Sequence, residues 1–134
     1  MTLFSPLFLG IVVLTAVSIP IGGLFVLRII SGRTPMNDLQ TNSFRAGHAH
    51  AGVLVTLGLV IQVLMSDSRV PDWGAYVGIL VLIGAILVPA GFFLSVLGKD
   101  PQRRNGLVVL LYAGAVSVML GALGSGAALV LAGV

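Results

Sequence analysis

Charged residues punctuate this chain at wide intervals, and what lies between them is almost wholly apolar. Uncharged runs cover residues 1–27, 46–66, 73–98 and 105–134, each longer than the roughly 18 apolar residues that separate a membrane-spanning helix from a buried core helix. Backbone groups in hydrocarbon must be paired within a helix or a closed barrel. Barrel strands alternate polar and apolar residues, whereas runs such as Gly78-Ile79-Leu80-Val81-Leu82-Ile83 do not. The pattern therefore predicts an all-α integral membrane protein, a single domain over 1–134. Its four transmembrane helices, at about 7–30, 44–66, 73–98 and 106–132, form a bundle.

The punctuation also predicts orientation. Arg28, Arg33, Arg45, Lys99, Arg103 and Arg104 fall in the first and third connections, against Arg69 alone in the second. By the positive-inside rule the 28–45 and 99–104 connections are cytoplasmic, and both termini and the Asp67–Asp72 turn are outside. This gives an N-out/C-out protein, expected in a bacterial inner (plasma) membrane. The first run has no Lys or Arg ahead of its apolar core and no small-residue cleavage pattern, so it reads as an uncleaved helix rather than a signal peptide.

Local signals refine the elements. Thr41, Asn42 and Ser43 offer N-cap oxygens for the second helix, and Pro71-Asp72 precedes Trp73 and Tyr76, aromatic residues suited to a membrane interface. The long 28–45 connection reads as a solvated linker, with a lid or docking loop as the alternative. Pro20 and Pro89 sit mid-span and are expected to kink their helices. Ala113, Ser117, Gly121 and Ser125 recur at i+4 and predict a helix-packing face on which another backbone approaches closely.

Composition mainly removes options. The chain has 134 residues, 8% charged, 57% hydrophobic, with 18 glycines and no cysteine, and a mean hydropathy of +1.14. Disulfides, thiolate metal sites and thiol catalysis are excluded. A net charge of +3 is too small to coat a phosphate-binding face, so nucleic acid is not an expected partner. With no glutamate in the sequence, the intramembrane Glu of a proton-coupled exporter is missing. No Ser-His-Asp set shares one membrane depth and no Gly-rich phosphate loop occurs, so a non-catalytic protein is expected.

The two histidines are the main chemical signal, in Phe44-Arg45-Ala46-Gly47-His48-Ala49-His50-Ala51-Gly52. An ionisable group within a span is a candidate functional residue, because burying it is costly without a partner. At 100° per residue His48 and His50 stand about 160° apart, so a regular helix cannot offer both to one metal ion. Arg45, His48, Thr56 and Gln62 gather into a stripe that predicts an inward polar network. His50 shares the opposite face with Ala46, Leu54, Leu57, Ile61 and Leu64, a face that must meet lipid, another subunit or a flat hydrophobic cofactor.

Phe-Arg-x-x-x-x-His, counted from Phe44 and followed by small and then aliphatic residues, resembles the second helix of the haem-copper oxidase catalytic subunits. The sequence is also similar to small four-helix bacterial membrane proteins in which one helix begins His-Ala-His. Aligned on His50-Ala51-Gly52-Val53-Leu54, the resemblance implies His50 as an axial haem ligand, with His48 as an extra residue. It extends over about 20 residues. Two histidines cannot build a haem plus a copper centre, so what it implies is at most one b-type haem. The second ligand would come from His50 of another copy, Met65, Met119 or a partner protein.

Three functions follow as expectations. The first is a subunit or interaction partner in a larger membrane assembly, respiratory assemblies included, with the lipid bilayer and either copies of itself or other membrane subunits as neighbours. The second is haem or metal binding through His50 or His48 in a homo-oligomer. The third is a small channel or transporter lined by Arg45, His48, Thr56 and Gln62.

Overall fold

A computed structural model describes residues 5–133, and among them every regular element is helical. The helices are α1 (Pro6–Thr15), α2 (Ser18–Ile30), α3 (Asp38–Leu64), α4 (Asp72–Leu94) and α5 (Val109–Gly133), the last entered through a 3-10 turn over Gly106–Val108. Taking α1 with α2, these make four helical stretches long and apolar enough to cross a membrane.

The first stretch is interrupted, and Pro20 explains where. A proline has no N–H to donate four residues back, and its ring crowds that carbonyl, here Ala16's. The chain accordingly tightens at Ala16 and Val17, where Val17 N–H donates to Leu14 O (3.2 Å) and Ile19 N–H to Ala16 O (3.0 Å). The Thr15 and Ser18 hydroxyls add bonds to Val12 O and Thr15 O, both 2.7 Å. Pro89, by contrast, lies within a continuous α4.

The second stretch starts at Asp38, six residues before the expected 44. Asn37 accepts from Gln40 N–H (2.9 Å) and its own N–H donates to Gln40 Oε1 (3.3 Å), a reciprocal capping box. Thr41, Asn42 and Ser43 therefore lie inside the helix rather than capping it, and the Ser43 hydroxyl donates to Leu39 O (2.6 Å). Most of the expected 28–45 linker is thus helix, leaving residues 31–37 as the connection. Asn37 also donates to Asp100 Oδ1 and Pro101 O, both 2.8 Å. Asn37→Ala is expected to cost about 1–2 kcal/mol, since it removes a cap and a tie between two connections; thermal unfolding in detergent measures this.

Helix α4 ends at Leu94 rather than 98, where Asn105 serves two helices. Its N–H donates to Ser95 O (2.8 Å) and its Nδ2 to Leu94 O (2.9 Å), while its Oδ1 accepts from Leu107 N–H (2.8 Å) at the entry to α5. Between them the chain turns through Gly98 and Asp100, at φ +127° and +48°. The opposite turn carries the Asp67–Arg69 ion pair (2.7 Å), whose hydrogen bonds lower the Asp67 carboxyl from 3.8 to about 2. A lowered folded-state value means that this pair favours the fold above pH 3.8, and the contribution fades as pH falls through about 2.

The four stretches run antiparallel in succession, as Gly23 beside His48, Gly47 beside Phe93 and Gly74 beside Ala128 show. Each packs on its neighbour in the chain: α2 on α3, α3 on α4, α4 on α5. Helix α1 buries none of its residues. The α3–α4 seam is filled by Leu54, Ile61, Met65, Val81, Ala85 and Val88.

The α4–α5 seam is made by small residues. A Cβ on Gly114 would stand 2.7 Å from Val88 N, and one on Gly121 2.8 Å from Val81 N, so backbones meet there. Ser117 donates to Leu80 O (2.7 Å) and Ser125 is buried. Ala113, expected in this stripe, is exposed, and Gly114 takes its place. A strict i+4 series drifts about 40° per step on a helix, whereas contact follows mixed steps of three and four. Gly114, Ser117, Gly121, Ser125 and Ala128 obey that rule.

Candidate functional site

Aromatic and polar chemistry collects where α2, α3 and α4 meet, at the end carrying the 31–37 and 95–105 connections. Phe44 is the hub. Its ring is edge-on to Phe25 (5.6 Å) and stacked on Phe93 (5.2 Å), while Gly47, one turn on, admits the Phe93 ring, which would lie 2.5 Å from a Cβ. One side chain each from α2, α3 and α4 thus sets the helix spacing.

His48 is half-buried against α2, with Nε2 3.2 Å from the position of a Cβ on Gly23 and Nδ1 3.5 Å from one on Gly22. The Gly22-Gly23 pair makes the recess that accepts the imidazole. His50 stands apart from it and is exposed, with Nδ1 2.7 Å from Ala46 O and its ring 5.3 Å from that of Phe92. A carbonyl can only accept, so Nδ1 carries the proton and a neutral His50 keeps the Nε2 lone pair available. On its expected apolar face, Leu57 and Leu64 are exposed but Leu54 and Ile61 are buried, because α4 covers one side of it.

The expected polar stripe does not form one network. Arg45 and Thr56 are exposed, and the Thr56 hydroxyl donates to Gly52 O (2.9 Å) within its own helix. Gln62 is fully buried at the other end of α3, its side-chain amide without a hydrogen-bond partner among the described residues. Over the nearly five turns from Arg45 to Gln62 the stripe winds around α3, so its members meet different neighbours. Met65 is buried beside Gly74 at the far end from His50. Met119 is exposed on α5, roughly two turns from the level of His50. Neither reaches the His50 imidazole within one chain. No three His, Asp or Glu side chains come together among the described residues.

Sequence reasoning missed Arg104. Its guanidinium donates to Ser95 Oγ and Ser43 Oγ, both 2.9 Å, and lies 5.4 Å from the centre of the Phe92 ring. Both serines are buried, at 0% and 1% exposure. Gln40 adds bonds to Val96 O (3.2 Å) and Gly98 O (3.1 Å). Phe92 therefore has His50 on its surface from α3 and Arg104 from the connection to α5. Ser43, read as a cap, lies 61 residues before Arg104, and no local pattern pointed to the pair.

No family model, curated protein or solved structure matches this chain. His48→Ala is expected to lower stability by roughly 1–3 kcal/mol, because it empties the Gly22-Gly23 recess. His50→Ala, losing one exposed ring and one local bond, stays within about 0.5 kcal/mol; chemical unfolding of the two variants in micelles makes the comparison.

Proposed function

We propose that this chain is a multi-pass membrane subunit whose His50 face docks on a neighbouring membrane protein, a second copy included. What supports this is the direction of His50. An ionisable ring some four residues inside an uncharged run ordinarily faces its own protein interior, and this one faces outward beside exposed Val53 and Leu57. A covering partner offsets that exposure to hydrocarbon. In this reading the 31–37 connection, within the expected 28–45, and the connection carrying 99–104 are cytoplasmic in a bacterial inner membrane, and both termini are outside. An impermeant thiol reagent on intact cells then labels Asp67→Cys and not Asp100→Cys; the reverse pattern inverts the topology.

The docking claim is tested by native gel electrophoresis of gently solubilised membranes. The wild type is expected to migrate well above a detergent-bound 13.8 kDa monomer, and Val53→Trp and His50→Ala to shift it down while keeping their helical circular dichroism. A monomeric wild type contradicts the proposal.

A second reading, haem binding, is favoured by one observation. A ligating imidazole generally donates its other N–H to a carbonyl, as His50 does toward Ala46 O. His50 would then hold a b-type haem by Nε2, which supplies one-electron chemistry when bound. A second protein ligand would come from another chain, because His48, Met65 and Met119 are not placed to serve. A Soret band in the purified protein, retained in His48→Ala and lost in His50→Ala, is the expected result; a colourless wild type from haem-replete cells rejects this reading.

A further inference from the structure

We propose that the end of the molecule carrying the 31–37 and 95–105 connections binds the headgroup of an anionic phospholipid, with the cleft beside Lys99 as its seat. Six of the seven Lys and Arg residues fall at this end. Arg104 is committed to Ser43 and Ser95, but Arg28, Arg33, Arg45, Lys99 and Arg103 are exposed. The one ion pair among the described residues, Asp67–Arg69, lies at the opposite turn. Neither acidic residue at this end neutralises a cation: Asp38 opens α3, where a negative charge answers the helix dipole, and Asp100 accepts from Asn37. With the four stretches across a bilayer, this unpaired charge stands at headgroup level. Arg45 immediately precedes the uncharged run 46–66 and so marks the edge of the hydrocarbon. Gln40, on the wall of the cleft, is about 7–8 Å further out along α3, at the outer edge of a headgroup layer about 5–8 Å thick. The flexible stem of Lys99 covers the remaining distance.

The cleft has a volume of about 310 Å³ and is walled by Pro35, Met36, Asn37, Gln40, Lys99 and Asp100, at the lower end of the roughly 300–1,000 Å³ of small-molecule pockets. Its walls are fixed before a ligand arrives. Lys99 stands between Gly98 and Asp100, at φ +127° and +48°. Gln40 Nε2 donates to Gly98 O (3.1 Å), and Asn37 Nδ2 to Asp100 Oδ1 and Pro101 O, both 2.8 Å. Little backbone ordering therefore opposes binding. The chemistry of the walls selects the ligand. The Lys99 ammonium, in no ion pair among the described residues, attracts a phosphodiester. Arg33 and Arg103 add positive charge, at most about 7 and 11 Å along the chain from Pro35 and Asp100. Asp100 Oδ2 is left to accept from a hydroxyl, and Pro35 and Met36 offer apolar surface to glycerol carbons. A phosphoglycerol headgroup brings a phosphodiester, hydroxyls and net negative charge together; phosphocholine brings neither hydroxyl nor net charge.

The proposal rests on the multi-pass membrane reading and not on the docking of the His50 face. In the test, the full chain, delipidated in detergent micelles, is offered phosphatidylglycerol, phosphatidylethanolamine and phosphatidylcholine with identical acyl chains, and native mass spectrometry reads the lipid bound per chain. Phosphatidylglycerol is expected to bind about fivefold or more tightly than either of the others. Lys99→Gln is expected to lower that preference about fivefold, the contribution of one basic residue near an anionic surface. Arg69→Gln, at the opposite turn, is expected to leave it unchanged, and both variants to keep their helical circular dichroism. Inorganic phosphate in excess is expected not to displace the lipid; displacement would make a soluble anion the ligand and overturn the lipid assignment. Equal binding of the three lipids, a preference that survives Lys99→Gln, or one that falls equally in Arg69→Gln would each overturn the proposal. A chain that stays dispersed without detergent would overturn the multi-pass reading, and the proposal with it.

Discussion

Gly121→Leu is expected to lower unfolding stability by roughly 3 kcal/mol or more, whereas Leu120→Ala, one residue away, changes it by about 0.5 kcal/mol or less. The contrast follows from where each side chain points. Even one carbon on Gly121 would meet Val81 N at 2.8 Å and Val81 Cγ2 at 2.7 Å, and neither the helix backbone nor a fully buried valine can give way locally. Leucine there must push α4 and α5 apart, breaking the bond from Ser117 to Leu80 O and the contacts of Gly114. In a bilayer such a seam would have no hydrophobic drive of its own. Close packing and this interhelical hydrogen bond hold it, so separation costs nearly all of its stabilisation. Leu120 is 54% exposed and points away from α4. Unfolding in sodium dodecyl sulfate, followed by circular dichroism, reads the difference. Equal effects of the two changes would mean that α5 presents another face to α4.

Arg104→Ala is the second large effect, at about 2–4 kcal/mol. The guanidinium makes two charge-assisted bonds, to Ser43 on α3 and Ser95 just past α4, and lies over Phe92. Bonds to charged groups contribute about 1.5–3 kcal/mol each, less when they share one side chain. Arg104→Lys is expected to recover less than half, because a single ammonium cannot reproduce a planar fork bridging two hydroxyls. Hydrogen exchange is the informative readout: residues 95–105 lose protection in Arg104→Ala while the α4–α5 seam keeps it. Unchanged protection would show that Asn105 and Gln40 suffice to hold this connection.

How far the sequence could be read depended on which interactions were local. The four helical stretches were legible because eleven charges in 134 residues leave runs that hydrocarbon alone can accept. Three members of the α5 stripe were legible because small residues announce close approach; Ala113 was not, since a fixed i+4 step ignores the drift of 3.6 residues per turn. The start of α3 was misplaced because Thr41, Asn42 and Ser43 outnumber Asn37, whereas the reciprocal geometry with Gln40 selects one cap. The separation of His48 from His50 followed from their angular offset. Arg104 did not, because its partners are 9 and 61 residues away in sequence and no periodicity links them. Gln62 was placed on the right helix but with the wrong companions, since its neighbours Gly78 and Ser125 come from α4 and α5.

The central claim is that the outward His50 face is covered by protein. It is tested most directly by a photo-crosslinking amino acid placed at Val53, on that face, and at Ile86, an exposed position on α4, in cells expressing the full chain. Irradiation is expected to yield a discrete protein adduct from position 53, identified by mass spectrometry as a single membrane partner or a second copy, and only lipid adducts from position 86. Lipid adducts alone at both positions would contradict it.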